Sequence, residues 1–349
     1  MKDDYMPADA MPTVKELDVL LRDFEEKCSF NQNDVCPGVM PEAACPAGYG
    51  EEADGRTAFD QLMEMEGLES VKEAIRTQLC YAKIMNMRRE LGFKAPRRVF
   101  NVILTGNPGT GKTTVARLIG RIFREAGLLS KGHTVETNRA GLVGRYIGDS
   151  EANTRTKIEE ARGGVLMIDE MYALTSEVPE GGSETRDFGV KVIDTLMTVL
   201  SDPAADMIVI GCGYRKEMDH FLKANPGLAS RFPMVLDFED FSVDQLWAIT
   251  RRRLMEFDFI VSDEGEKAIR ELIGQASAVK NFGNGRFAVT LAENYLIPAL
   301  CSRIFKAWRS GAMSAGRMKK LSVVEKSDVP ELEVMFPLAG RARGRVGFK

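Results

Sequence analysis

Hydrophobic and polar positions alternate along the chain in three different ways. Up to residue 56 only Leu17, Leu20, Leu21 and Phe24 recur at helical spacing, within Val14 to Lys27. The stretch that follows, NQNDVCPGVMPEAACPAGYGEEADG, has too much Pro and Gly to continue a helix and reads as a linker or flexible arm. From Phe59 the spacing tightens: Leu62, Met65, Leu68, Val71 and Ile75 predict helical material to about Glu90, ended by Gly92 and Pro96. Short apolar runs come next, Phe100 to Leu104, Val165 to Ile168, Met207 to Ile210 and Met234 to Phe238, with a weaker one at His133 to Thr137. Such runs suit strands buried on both faces. Amphipathic stretches lie between them, Thr113 to Ala126, Glu151 to Ala161, Val190 to Leu200 and Lys216 to Lys223, so the alternation predicts an α/β fold with a parallel sheet. From about Ser242 only helical periodicity remains, over Val243 to Phe257, Asp263 to Ala276 and Arg286 to Trp308, which predicts a second, all-α domain. The expected plan is an acidic arm over 1–56, an α/β domain over 57–241, a helical domain over 242–335 and a basic tail over 336–349 carrying Arg341, Arg343 and Arg345. No internal repeat is found.

Composition narrows the classes. A chain of 349 residues exceeds what one core usually organises, and 44% hydrophobic with 28% charged residues excludes a mainly disordered, collagen-like or disulfide-scaffold protein. Forty-seven basic against 51 acidic side chains give a net charge of −4, so no global field draws the chain to nucleic acid or anionic lipid. His133 and His220 are the only histidines and stand far apart, which argues against histidine-based metal catalysis. Cys80, Cys212 and Cys301 sit in apolar contexts and read as small core residues. Cys28, Cys36 and Cys45 are widely spaced in acidic surroundings, and no C-x-x-C pair occurs, so the expectation is a reduced, cytoplasmic protein. The opening MKDDYMPADAMP has no apolar signal region, and no apolar run is long enough to predict a membrane span.

Two motifs carry chemistry. Gly106, Asn107, Pro108, Gly109, Thr110, Gly111, Lys112 and Thr113 match G-x-x-x-x-G-K-[ST] between a predicted strand and a helix opened by Thr113 and Thr114. Glycines let the backbone turn its N–H groups onto phosphate oxygens, Lys112 supplies a point charge for the β- and γ-phosphates, and Thr113 offers a hydroxyl to Mg²⁺. The expected ligands are ATP and Mg²⁺. Downstream, GGVLMIDE puts Asp169 and Glu170 at the end of an apolar strand. Asp169 fits a carboxylate that holds Mg²⁺ through water, and Glu170 one that polarises the attacking water; the plain alternative is a solvated strand end.

A phosphate loop, a strand ending in Asp-Glu and a trailing helical domain together resemble an AAA+ P-loop ATPase with its lid. MEGLESVKEAI, TGNPGTGKTTVA, LVGRYIGDS, GGVLMIDEMYAL and NPGLASRF resemble the CbbX/CfxQ class, which includes red-type Rubisco activase, the stage V sporulation protein K group and ATPases of type VII secretion. The similarity runs in matching order from about Phe59 to Trp308. The resemblance implies that Arg231, in SRF, is an arginine finger completing a neighbour's active site, the alternative being a structural salt bridge. It implies that Arg286, in FGNGRF, is sensor 2, the alternative being a surface arginine. Tyr146, Ile147 and Gly148, in GRYIGDS, match the pore loop with which protein-threading rings grip a client; the alternative is a core tyrosine. Tyr214 stands where many relatives carry a polar sensor 1, which leaves that role unassigned.

The resulting expectation is a homo-hexameric, ATP-hydrolysing motor that remodels an unidentified protein client. A nucleic-acid-handling ATPase such as a helicase or clamp loader is the alternative class. The acidic balance and the aromatic loop count against it, and Arg251 to Arg253 read as a solvated helix face. A slow nucleotide-gated scaffold is the third reading, with no need of a water-activating Glu170. The arm over 1–56 is the expected client or adaptor element.

Overall fold

Strand β1, Val102–Gly106, is buried at every residue, as a strand covered on both faces must be. It lies between β4 (Ile208–Gly213) and β5 (Met234–Phe238), with β3 (Val165–Ile168) and β2 (Thr134–Thr137) completing a five-stranded sheet of order β2-β3-β4-β1-β5. All four pairings are parallel; Val102 aligns with Ile210 on one side and Met234 on the other. The computed structural model describes residues 57–336 apart from 97, 145, 147, 176–183, 203, 280–281 and 310–313. The expected N-terminal helix, the cysteines of the arm and the basic tail lie outside the described residues.

Side chains of successive strand residues leave opposite faces of the sheet. Val102, Leu104, Val165, Met167, Ile208 and Ile210 enter one core, together with α1 (Ala58–Met63), α2 (Glu69–Glu90) and α3 (Lys112–Glu125). Ile103, Leu166, Ile168 and Val209 enter the other, with α4 (Asp149–Glu160), α5 (Glu184–Leu200) and α6 (Arg215–Ala224). Asn101, buried just before β1, donates Nδ2 to the Leu200 and Arg231 carbonyls at 3.3 and 3.2 Å and accepts the Val209 N–H at 3.0 Å, which fixes the entry of the strand.

After β5 the chain builds a third core from α7 (Val243–Met255), α8 (Asp263–Ser277), α9 (Asn284–Thr290) and α10 (Ile297–Arg309), around Leu246, Trp247, Ile269, Ile273, Leu291 and Leu296. Ser242 caps α7 in a capping box with Gln245. Several details differ from the sequence reading. The helical run from Phe59 is broken at Gly67 and Leu68, both with φ +63°, a left-handed corner that turns α2 away from α1. The expected helix from Arg286 to Trp308 carries a π-helical stretch at Leu291–Leu296 just before Pro298, whose missing N–H removes one ordinary helical bond. The helical domain is not purely α: β6 (Ile260–Val261) and β7 (Val323–Val324) form a short parallel pair. Cys301 is exposed, one helical step round from buried Leu300, whereas Cys212 is buried as expected. Arg252 and Arg253 are not simply solvated: Arg252 donates to the Glu64 carbonyl at 2.9 Å and pairs with Glu66 at 3.3 Å, and Arg253 pairs with Glu256 and Glu293.

Gly120 shows how closely α3 sits on the sheet. A Cβ there would stand 2.6 Å from the Gly132 carbonyl oxygen and 3.1 Å from Val165 Cγ2. Helix propensity alone would make Gly120→Ala stabilising by about 0.5–1 kcal/mol. Overpacking of that contact costs about 1–3 kcal/mol, so the variant is expected to be less stable in a denaturant melt. A gain in stability would show that α3 can move off the sheet.

Candidate active site

The turn after β1 carries the expected phosphate-loop residues, and its torsions depend on its glycines. Gly106, Gly109 and Gly111 have φ of +148°, +77° and +96°, a region that a Cβ strains. Space demands glycine as well: a Cβ on Gly106 would collide with the Phe238 carbonyl oxygen, and one on Gly109 with the Gly283 carbonyl oxygen. Thr110 is fully buried and donates its hydroxyl to the Asn107 carbonyl at 2.8 Å, closing the loop. Gly111 caps α3 without a side-chain bond, which leaves the first N–H groups of that helix, at Lys112, Thr113 and Thr114, available to an anion. Lys112 Nζ donates to the Gly106 and Asn107 carbonyls at 2.8 and 2.7 Å. Burial holds its pKa below the ordinary lysine range, and the nearby Arg286 charge pushes the same way; Asp169 and Asp240 oppose both.

Strand β3 ends two spacings along the sheet from β1, about 10 Å away, and at the same edge. Beyond its tip Asp169 N–H donates to the Thr137 carbonyl at 2.8 Å, and Asp169 Oδ1 accepts the Glu170 N–H at 3.0 Å. Both carboxylates are exposed. Glu170 has φ +49°, a conformation that costs a residue with a side chain on the order of 1–3 kcal/mol and that the surrounding structure must enforce. Cys212, beneath Lys112, has its thiol pushed up to about 12 by burial and by Asp169. Tyr214 opens α6 and its ring lies 6.1 Å from that of Tyr172, whose phenol is raised to about 12 by burial and by the charge of Glu170. Arg215 pairs with Asp237 at 2.8 Å, and Asp237 accepts the buried Thr105 hydroxyl at 2.8 Å.

The helical domain reaches this loop directly. Gly285 N–H donates to the Gly109 carbonyl at 3.0 Å. Asp240, exposed after β5, accepts Asn107 Nδ2 at 2.9 and 3.0 Å and Asn284 Nδ2 at 2.8 Å. Arg286 is exposed in the first turn of α9. Asp240 and Asn284 were not legible as site residues; Asn-Gly in FGNGRF signals only a turn.

Two expected residues lie elsewhere. Arg231 precedes β5, at the sheet edge opposite the phosphate loop, with Nε on the Ser201 hydroxyl at 2.5 Å and Nη1 on the Gly227 carbonyl at 2.6 Å. Among the described residues its partners are hydroxyl and carbonyl oxygens and no carboxylate, unlike the expected alternative of a structural salt bridge. Tyr146 is 74% exposed, which removes the core alternative; its N–H donates to Asp149 at 3.1 Å, and Gly148, φ +93°, caps α4. Ile147 lies outside the described residues. Among the described residues no three His, Cys, Asp or Glu side chains are grouped to hold a metal, and no helix is long and apolar enough to cross a membrane.

The family model of the ATPase family associated with various cellular activities (AAA) matches residues 102–240, and that of an AAA lid domain matches 242–333. Stage V sporulation protein K of Bacillus subtilis is 42% identical over 237 residues, 67% of this chain and 71% of that protein. The chain belongs to the AAA ATPases. Within that family its relatives are of the CbbX and CfxQ class: CbbX of Cereibacter sphaeroides is 33% identical over 282 residues, 80% of this chain and 88% of CbbX. The chloroplastic ribulose bisphosphate carboxylase/oxygenase activase of Cyanidioschyzon merolae is 35% identical over 223 residues, 64% of this chain and 74% of that one. The crystal structure of the FIGL-1 AAA domain superposes with a TM-score of 0.51 at 19% identity, covering 76% of this chain and 80% of that one, a likeness of fold. This AAA protein is an ATP hydrolase. Its nucleotide chemistry has an unusual bystander in Cys212, whose raised pKa and burial predict inertness. Iodoacetamide at pH 8 should alkylate Cys301 in the folded protein and spare Cys212 until the chain is denatured, as peptide mapping would show. Equal labelling of the two would mean that β4 opens at the site.

Proposed function

We propose that this AAA ATPase is one subunit of a homo-hexameric, cytoplasmic ring that uses ATP to remodel a protein client. The observation that carries the reading is a division across the parallel sheet. Lys112, Asp169 and Glu170 follow strands at one edge, and Arg231 precedes a strand at the other, a strand length of about 17 Å away. That separation supports the reading in which Arg231 serves a second copy and not its own site.

In this reading the loop from Gly106 to Thr114 and the Lys112 ammonium bind the ATP phosphates. The Thr113 hydroxyl and the Asp169 carboxylate are oxygen donors of the kind Mg²⁺ takes, and they would hold it; bound there, the cation supplies neutralisation of phosphate charge. Glu170 accepts a proton from the attacking water and orients its oxygen towards the γ-phosphorus. Arg231 of one copy offers its guanidinium to the charge that develops on the phosphoryl oxygens in the next, and Arg286 contacts the nucleotide from the lid. Tyr146, Ile147 and Gly148 grip the client, an exposed ring on a loop suiting an extended chain of any sequence. The motor comprises 57–241 and 242–335, and the arm over 1–56 is assigned to client or adaptor recruitment. Activity on ribulose bisphosphate carboxylase/oxygenase belongs to the named relative; here the client is left as a protein. Net charge −4 weighs against a nucleic-acid client.

Glu170→Gln should keep nucleotide affinity and lose turnover by about 10²-fold or more, measured as steady-state phosphate release beside fluorescent-nucleotide binding. Wild-type turnover in that variant would end the assignment of Glu170. For Arg231, specific ATPase activity should rise with protein concentration, and Arg231→Ala should lose about 10³-fold while binding nucleotide normally. Concentration-independent activity in a protein that sedimentation shows to be a monomer would remove the shared site.

A further inference from the structure

Lid and phosphate loop meet through backbone with no room for side chains. The collision that a Cβ on Gly109 would make with Gly283, and the 2.9 Å that separates a Cβ on Gly285 from the Gly109 carbonyl oxygen, leave the two segments in van der Waals contact. One carboxylate then ties them. Asp240 Oδ1 accepts both Asn107 Nδ2 from the loop and Asn284 Nδ2 from the first residue of α9, at 2.9 and 2.8 Å, while Oδ2 takes Asn107 at 3.0 Å. Asn284 is itself held rigidly: it is 2% exposed, its Oδ1 accepts the Phe241 N–H at 3.1 Å, and its backbone sits at φ +50°. Arg286 follows two residues later in the same turn. Asn107 and Asn284 thus share one oxygen atom two residues before Arg286, and Asn284 Nδ2 also lies 3.5 Å from the Pro108 carbonyl of the loop.

Resting on the nucleotide-site reading above, we propose that Asp240 is a positioning residue for ATP hydrolysis, fixing the angle between phosphate loop and lid by joining Asn107 to Asn284. It touches no reacting atom. The lid has a second tether, Arg252 to the Glu64 carbonyl and Glu66, which holds it to the turn between α1 and α2 without contacting the loop. That tether supplies the control: both anchor the lid, and only one anchors it to the loop.

The test measures kcat, KM and melting temperature in the full chain. Asp240→Ala and Asn284→Gly, the latter keeping the left-handed backbone, should each lower kcat by about tenfold with melting temperatures within about 3 °C of wild type. The double variant should fall well short of the product of the two losses, since both remove the Asp240–Asn284 bond, although Asn284→Gly also gives up the Phe241 N–H and the Pro108 carbonyl. Asp240→Asn, which keeps one acceptor oxygen, should recover part of the loss. Arg252→Ala should stay within about twofold of wild-type kcat. The proposal is overturned if Asp240→Ala retains kcat within about twofold of wild type, if the double variant multiplies the losses, or if Arg252→Ala costs as much as Asp240→Ala. Should Asp240→Ala fail to fold, Asn284→Gly decides by the same threshold. Lys112→Ala and Arg286→Ala run alongside report on the nucleotide-site reading itself: undiminished turnover there sinks that reading, a result separate from the behaviour of Asp240.

Discussion

The contact on which the rest of this structure depends is backbone against backbone, where the phosphate loop is wedged between the end of β5 and the first turn of the lid. Gly106 abuts Phe238 and Gly109 abuts Gly283, so neither position tolerates a Cβ. The wedge fixes the loop's torsions, the kind of backbone that in the proposed nucleotide reading turns N–H groups onto phosphate. It also accounts for Lys112. An ammonium folded onto two loop carbonyls and shielded from water has a depressed pKa, and incoming phosphate charge would reverse that shift by supplying the counter-charge that burial removes.

A parallel sheet has a chemical polarity that an antiparallel one lacks. Every strand ends at the same edge, so the loops after β1 and β3 gather Lys112, Asp169 and Glu170 although about 57 residues of sequence separate the two motifs. The opposite edge collects what precedes each strand, which is where Asn101 anchors the carbonyl of Arg231. Sheet polarity thus puts Lys112, Asp169 and Glu170 on one edge and Arg231 on the other. Glu170 shows the tension this creates: it leaves the strand in a strained left-handed conformation that holds an exposed carboxylate at the edge.

The lid coheres through its own core, Leu246 and Trp247 against Ile269, Ile273 and Leu291, and meets the α/β layer through close backbone contact and through polar links. Asp240 and Arg252 are two such links, beside the Gly285 N–H on the Gly109 carbonyl, and of these two side chains only Asp240 contacts the phosphate loop.

Much was legible in the sequence because it rests on local rules. Strand and helix periodicity gave the α/β order, and the G-x-x-x-x-G-K-T spacing marked the loop because its torsions and its charge are both specified within eight residues. Helix breaks at Gly67 and Leu68 and the π-helical stretch before Pro298 were missed: periodicity runs on through a left-handed corner, and a proline marks a lost hydrogen bond without saying whether the helix bends, stops or widens. The exposure of Tyr146 and Cys301 was equally undetermined: which side of an element faces water depends on what packs against it. Only the tertiary structure decided that Arg231 stands on the far edge from Lys112, and that Asp240 links Asn107 to Asn284 across 44 positions of chain or more. A short polar residue on a turn carries no signature of its distant partner, so that link exists only once the sheet has folded and the lid has closed against the loop.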